Sequence, residues 1–415
     1  MSVPKLRFKE FDESWSQAIL DDLAEVERGK FSVRPRNDPR YFGGKMPFVQ
    51  TGDVTGSDVY LKSFSQTLNE DGIKVSKVFP EDTILITIAA NIGDTTITQY
   101  PVACPDSVVA IQPKKELTNT IFLKNVIDLQ KDFLDSQATQ NAQKNINLQV
   151  LKPLELIVPS LKQQTKIASF LYVVDEKISQ LTQKHALLSQ YKQGMMQKLF
   201  SQQIRFKADD GSEFGEWEEK TLIDSVDTNI KWSFTGGPFG SNLKSEDYTE
   251  LGIRIIQLQN IGDGAFLNDY KIYTSPEKAN ELLSCNIYPD EILISKMGDP
   301  VARCCIVPKH HDRYVMCSDG IRLVVDKKNY SSIFMFYQIN YQDFRQSASD
   351  VSTGSTRKRI GLSDLKQLPI KAPCLEEQTK IANFLSAIDK KIEVVAQQIE
   401  QAKHWKKGLL QQMFV

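Results

Sequence analysis

Two sets of residues have the types and spacing of a reactive centre. Pro289-Asp290 followed by Asp326-Lys327-Lys328 has the make-up of a metal-dependent nuclease, in which carboxylates hold Mg²⁺ and a lysine assists the attacking water. The Pro-acid turn recurs at Pro80-Glu81 with no acid-x-Lys at a similar distance, so a simple turn competes with the metal site. Cys304-Cys305, His310-His311 and Cys317 offer zinc-binding atoms, but adjacent cysteines suit tetrahedral ligation poorly. Cys317 aligns with Cys104, in a half of the chain without histidine, and core packing accounts for it better. No two prolines are adjacent, which excludes the Pro-Pro-aromatic loop of adenine methyltransferases, and no GxxxxGK[ST] phosphate loop is present. The residues to seek next are those that bind.

Cationic loops are the candidates. Arg28, Lys30, Arg34, Arg36, Arg40 and Lys45 lie within eighteen residues opposed only by Asp38, and Arg357-Lys358-Arg359 follow Ser352-Thr353-Gly354-Ser355-Thr356. Such clusters can grip phosphates; a solvated loop is the competing reading of each. The whole chain, at 415 residues and a net charge of −1, is not a basic protein, and neither half is basic as a body. With 41% hydrophobic and 25% charged residues it reads as two or three ordinary soluble domains. No run approaches eighteen apolar residues and the first twenty lack an apolar core, so neither membrane insertion nor export is expected, and the cytoplasm is the expected location. The six cysteines show no CxxC spacing, which argues for reduced thiols.

The elements that must position these loops are set by a duplication. Pro159 to Phe200 recurs, 214 residues on, as Pro373 to Phe414: Gln164-Thr165-Lys166-Ile167-Ala168 matches Gln378-Thr379-Lys380-Ile381-Ala382, Asp175 matches Asp389, and Lys192-x-Gly194 matches Lys406-x-Gly408. In the first copy Ile167, Leu171, Val174, Ile178, Leu181, His185, Leu188, Lys192, Met195 and Leu199 fall at alternating steps of four and three. The second copy keeps the register with Ile381, Leu385, Ile388, Ile392, Val395, Ile399, Ala402, Lys406, Leu409 and Met413. That spacing draws an apolar seam down a helix, with a lysine interrupting both seams at the same place. The first helix ends where the second globular half starts and the second begins where that half stops, so the two are expected to pack antiparallel, each about 54 Å long for about 36 residues. Gln163, Gln164, Gln183, Gln190, Gln397, Gln398 and Lys403 are expected to form exposed faces beside the seam.

The globular halves repeat more weakly. Arg7-Phe8-Lys9 with Trp15 is echoed by Arg205-Phe206-Lys207 with Trp217, Phe48-Val49-Gln50 by Ile255-Ile256-Gln257, and Thr139, Lys144, Ile146, Leu148 by Thr353, Lys358, Ile360, Leu362. Short β-branched runs between Gly, Pro and Asp turns read as strands, and 121–136 and 331–346 as helices, giving an α+β fold in each half. Gly236 to Lys244 has no good counterpart in the first half. The expected organisation is a first domain at 1–158, a helix at 159–200, a second domain at 201–372 and a helix at 373–415.

With its duplicated Gln-Thr-Lys-Ile-Ala helices and variable halves, the chain resembles the specificity subunit of type I restriction–modification enzymes over essentially its whole length. The resemblance implies two similar mixed α/β target-recognition domains joined by two long antiparallel coiled-coil helices with pseudo-twofold symmetry. It implies a non-catalytic recognition subunit, each domain reading one part of a bipartite double-stranded DNA target and the helical pair setting the spacing. The implied partners are two modification subunits carrying S-adenosylmethionine and restriction subunits using ATP and Mg, with no cofactor or metal in this chain. The contrasting reading is a self-sufficient metal-dependent nuclease dimerising through its helices. For DNA contacts the donors of choice are Arg34, Arg36, Arg40, Lys45, Asn91, Gln140 and Lys144 in the first half, and Ser241, Asn242, Lys244, Lys296, Arg303, Ser355, Arg357, Lys358 and Arg359 in the second.

Overall fold

The computed structural model describes residues 4–138, 144–354 and 357–414. It comprises two compact units, Met1–Lys184 with Val395–Val415, and His185–Val394. These units cut across the four expected segments, because each long helix, Leu161–Phe200 and Leu375–Met413, gives one part to each unit. The helices have 40 and 39 residues, somewhat more than the seam alone indicated, or about 60 Å each at 1.5 Å per residue.

Both units use one plan. In the first, a four-stranded antiparallel sheet has the order Ala24–Arg28, Val108–Pro113, Ile84–Thr87, Thr95–Ile97. A second sheet has the order Gln66–Leu68, Phe42–Phe48, Val102–Ala103, Val78–Phe79, with one parallel pairing, Phe42–Phe48 with Val102–Ala103. In the second unit the corresponding sheets run Phe234–Gly236, Gly320–Leu323, Ile292–Ser295, Cys304–Ile306 and Tyr248–Thr249, Ile272–Thr274, Ile253–Ile256, Tyr314–Met316, Asn286–Ile287. Again one parallel pairing occurs, between Ile253–Ile256 and Tyr314–Met316. The unbroken apolar runs Ile84-Leu85-Ile86 and Ile292-Leu293-Ile294 exist because the central strand is covered on both faces. Ile84 and Ile86 face the core shared with the helices, whereas Leu85 faces the second sheet; Ile292 and Ile294 divide from Leu293 in the same way.

The seam residues explain why the units divide the helices. In the first unit Ile167, Leu171 and Val174 share one core with Leu409, Met413, Ile84 and Ile86; in the second, Leu199 shares one with Ile381, Leu385, Ile388, Ile292 and Ile294. Leu181, Val395 and Ile399 are also buried, and Ile178, Leu188, Met195 and Ile392 are half-buried. Each seam lysine has found a carboxylate: Lys406 lies 2.6 Å from Asp175 in the first unit and Lys192 2.6 Å from Asp389 in the second. As the first helix ascends from Asp175 to Lys192, its partners on the second descend from Lys406 to Asp389, the antiparallel order. Both pairs join the same two positions of the repeat, which makes this contact a register mark built twice.

The Gln-Thr-Lys-Ile-Ala motif is a joint. Gln164, 1% exposed, accepts from Thr118 Oγ1 (2.9 Å) and Asn119 N (3.0 Å) and donates to the carbonyls of Leu117 and Pro159. Gln378, also 1% exposed, accepts from Ser331 N (2.9 Å) and donates to the carbonyls of Asn329 and Pro373. Asn119 and Ser331 are the N-caps of the helices Thr120–Leu129 and Ser332–Asn340, so each glutamine fastens a long helix to the start of the helix behind the sheet. The neighbouring Gln163 accepts from Arg7 at 2.9 Å, and its counterpart Glu377 takes Arg205 through both oxygens at 3.1 and 2.7 Å. The expectation that Gln163 and Gln164 are exposed is therefore corrected: both are buried, and the periodicity of apolar residues could not show it. Gln183, Gln190, Gln397, Gln398 and Lys403 are exposed.

The segments entering each domain also repeat. Leu6 N donates to Gln412 O (2.8 Å), as Ile204 N does to Lys198 O (3.2 Å). Trp15 packs edge-on against Phe122 and Phe414, as Trp217 does against Phe334 and Phe200.

Candidate nucleic-acid interface

In each unit, stretches far apart in sequence meet at one turn of the four-stranded sheet. In the first unit that turn is Cys104 to Ser107. The strand Ala24–Arg28 leaves the sheet at Gly29, whose N–H donates to Val108 O (2.9 Å) and whose Cβ position would lie 2.3 Å from Pro105 O, so only glycine fits there. In the second unit the turn is Cys317 to Gly320. Gly237 donates to Gly320 O (2.8 Å), and a Cβ on it would meet Cys317 O at 1.7 Å. Gly29 and Gly237 thus pin the same exit. The stretch Gly236 to Lys244, expected to lack a counterpart, leaves the sheet at this exit, as the chain from Arg28 onward does in the first unit.

The turn carries an aspartate in both units. Asp106 accepts from Arg36 (2.8 Å) through its carboxylate and from Arg28 (2.6 Å) through its carbonyl. Asp319 holds Arg359 through its carboxylate and accepts from Lys296 N (2.7 Å) through its carbonyl. The segment after the central strand completes the ledge. Ile88 N donates to Ser107 O and Ile88 O receives Ile146 N; Lys296 O receives Ile360 N, and Gly298 N donates to Lys358 O. Thr353 and Arg359 exchange both main-chain hydrogen bonds (2.9 and 2.8 Å), closing a hairpin that brings Lys358 and Arg359 beside Lys296.

The candidate residues sort by what already holds them. Arg36, Arg40, Lys144 and Arg359 are in ion pairs with Asp106, Asp38, Asp135 and Asp319. Arg40 keeps its side chain 78% exposed while three hydrogen bonds from that side chain and one from its backbone hold the Asp38 carboxyl below the usual range. Arg34 is exposed and donates to the carbonyls of Phe31 and Val33. Lys45, Lys244 and Arg357 are exposed and have no ion-pair partner among the described residues. Asn91, Ser241 and Asn242 are exposed; Lys296 and Lys358 are half-buried, Lys358 donating to Ser349. Arg303 stands apart: it is half-buried, and its Nε donates to Ile261 O at 2.6 Å, so its guanidinium braces main chain. Gln140 and Ser355 lie outside the described residues. Sequence reasoning missed Gly29, Gly237, Asp106 and Asp319; only the alignment of Cys104 with Cys317, two residues before the aspartates, pointed to them.

The candidate reactive centres dissolve into structural roles. Asp290 occupies a left-handed turn position (φ 67°), as Asp82 does (φ 60°), and pairs with Lys309 at 2.9 Å. Asp326 caps its own loop by accepting from Lys328 N and Asn329 Nδ2. Cys304 and Cys305 are consecutive strand residues and point into different cores. Burial pushes the thiols of Cys104 and Cys305 up to about 12 and that of Cys317 up to about 11. Among the described residues no group of three or more His, Cys, Asp or Glu could hold a metal ion. No described helix is long and apolar enough to cross a membrane.

The family model for the type I restriction modification DNA specificity domain matches residues 12–190 and 259–404. The type I restriction enzyme MjaVIII specificity subunit of Methanocaldococcus jannaschii is 23% identical over 425 residues, covering 96% of this chain and 94% of that protein. The putative type I restriction enzyme MjaX specificity subunit of the same organism is 25% identical over 423 residues, covering 98% and 94%. In fold, the chain is similar to the crystal structure of the S subunit of a type I restriction–modification system from M. genitalium, with a TM-score of 0.62 at 17% identity, covering 100% and 99% of the two chains. A chain from a structural study of assembly and conformational transition of the type I R-M system gives 0.57 at 15% identity, covering 98% of both.

Proposed function

The chain belongs to the type I restriction–modification DNA specificity family, and on that premise we propose that each unit reads one part of a bipartite duplex sequence through the ledge around Asp106 or Asp319. As a specificity subunit the chain is the recognition component, and neither methylates nor cuts. The observation that carries the reading is the twofold construction of the ledge. Both units bring the same strand exit, the same turn aspartate and the same hairpin-side segment together, yet furnish them with different side chains. A common mount with different donors is what two readers of different sequences require. Asp106 and Asp319 hold Arg36 and Arg359 in fixed orientations, the condition under which a guanidinium reads a guanine edge bidentately. Lys45, Lys244 and Arg357, without carboxylate partners among the described residues, suit phosphates.

On this reading the long helices set the distance between half-sites. They also dock two modification subunits, which bring S-adenosylmethionine, while restriction subunits bring ATP and Mg. The repeat supports two equivalent docking places: Tyr191 and Trp405 occupy the same position of the two copies, 50% and 53% exposed, beside the exposed Gln190 and His404. The test uses the complex with its modification subunits and measures target binding against salt. Replacing Lys244, Lys296 and Arg357 by alanine is expected to flatten the salt dependence, by a slope of about 0.9 for each phosphate that is no longer neutralised. Unchanged slope and unchanged sequence preference in the triple variant would remove the second ledge from the DNA-binding surface.

A further inference from the structure

The loop from Gly237 to Lys244 contains a side chain that the reading above does not use. Phe239 is 82% exposed, matched among the exposed large apolar side chains of the described residues only by Leu251, which sits in the turn between two strands of the second sheet. Its mount is rigid. Gly237 is wedged against the Cys317 carbonyl and hydrogen-bonded to Gly320, and Pro238 is buried. Asn242 N closes a turn onto Phe239 O (2.8 Å), and Lys244 N is capped by Asp247 (2.7 Å). An aromatic ring is thus held in water by a loop fixed at both ends, flanked by the donors Ser241, Asn242 and Lys244. That loop leaves the sheet at the turn bearing Asp319, whose carboxylate holds Arg359. The corresponding loop of the first unit turns its aromatic inward, with Phe31 4% exposed, and presents Arg34, Arg36 and Arg40 instead.

Resting on the DNA-reading function above, we propose that Phe239 is a specificity-determining residue of the second unit, burying its ring against a base of that half-site. A phenyl ring gains nothing from a phosphate. Among the surfaces that such a cationic ledge attracts, only base faces and thymine methyls are apolar. Preorganisation lowers the entropy lost when the ring docks. Two geometries share this chemistry: packing on a thymine methyl in the groove, and wedging at a base step.

The experiment compares the wild-type complex with modification subunits against complexes carrying Phe239→Ala and Phe239→Leu, both of which alter a surface position and therefore leave the fold intact. Binding is measured to the target duplex, to an unrelated duplex, and to targets in which thymines of the second half-site are replaced singly by uracil or bases by 2-aminopurine. Phe239→Ala is expected to weaken target binding about ten-fold and leave unrelated DNA unchanged. A uracil position that weakens the wild type but not the alanine variant identifies the methyl contact; 2-aminopurine fluorescence that rises only with Phe239 present identifies the wedge. Equal target affinity and equal preference in wild type and Phe239→Ala would overturn the proposal. If the lysine and arginine substitutions of the second ledge still lower binding in that case, the DNA-reading function stands and only the role of Phe239 falls. If they too have no effect, the underlying reading has failed.

Discussion

Replacing the two buried glutamines by leucine tests whether the repeated motif is a joint. Gln378→Leu removes the hydrogen bond from Ser331 N and those to Asn329 O and Pro373 O, and Gln164→Leu removes those from Thr118 Oγ1 and Asn119 N and to Leu117 O and Pro159 O. Each bond contributes about 1 kcal/mol net, and a buried N–H left without a partner costs a further 1–3 kcal/mol or so. Leucine fills a similar volume and returns about 1 kcal/mol through apolar packing. The expected losses are about 3 kcal/mol for Gln378→Leu and about 4 kcal/mol for Gln164→Leu. Each is less than the stability of an ordinary domain, so both proteins should fold. Urea unfolding gives the total, and native-state hydrogen exchange gives the place. Gln164→Leu should deprotect the segment around Asn119 to Phe122, and Gln378→Leu that around Ser331 to Phe334. A loss below about 1 kcal/mol in both, or exchange unaltered at those caps, would refute the joint.

Asp175→Asn and Lys406→Met, singly and together, should show a coupling of about 1 kcal/mol, the pair being only 19% and 21% exposed; additive effects would deny that the ion pair marks register. Burial raises the thiol pKa values, which lowers the thiolate fraction at pH 8, so a thiol reagent should label Cys374 rapidly in the native protein and the other five cysteines only after unfolding. Rapid native labelling of a second thiol would contradict the burial. A heptad inserted after both Ile178 and Ile392 keeps the seam and adds about 10 Å, or about three base-pair steps, so the methylated site should keep both recognition elements and gain spacer. Methylation of the original site alone would show that the helices do not set spacing.

The long helices were legible because their seams repeat at a fixed spacing and occur twice. Their polar fastenings were not. A buried Gln164 and a solvated Gln183 look alike in a pattern that tracks apolar residues, and only the fold decides which meets the N-cap of another helix. The division into units was hidden for a related reason: a seam shows that a helix is covered, not by which body. In each ledge, the composition of the loops was visible, and Arg36 in the first unit and Lys296, Lys358 and Arg359 in the second could be chosen for their donors. Their convergence was not visible, since it depends on strand order and on Gly29 and Gly237, which sit in unrelated neighbourhoods. Arg303 shows what donor type alone leaves open: a loop arginine whose Nε donates to the Ile261 carbonyl, a contact that the sequence pattern does not reveal.

The central claim is that the two units read separate parts of one target. Its most direct measurement maps methylated adenines in DNA exposed to this chain with its cognate modification subunits, before and after the second ledge is altered by Lys244→Ala, Arg357→Ala and Phe239→Ala together. The expected result is a two-part methylated sequence in the wild type, with preference relaxed in one part and retained in the other after the change. An undivided methylated sequence, or equal relaxation in both parts, would contradict it.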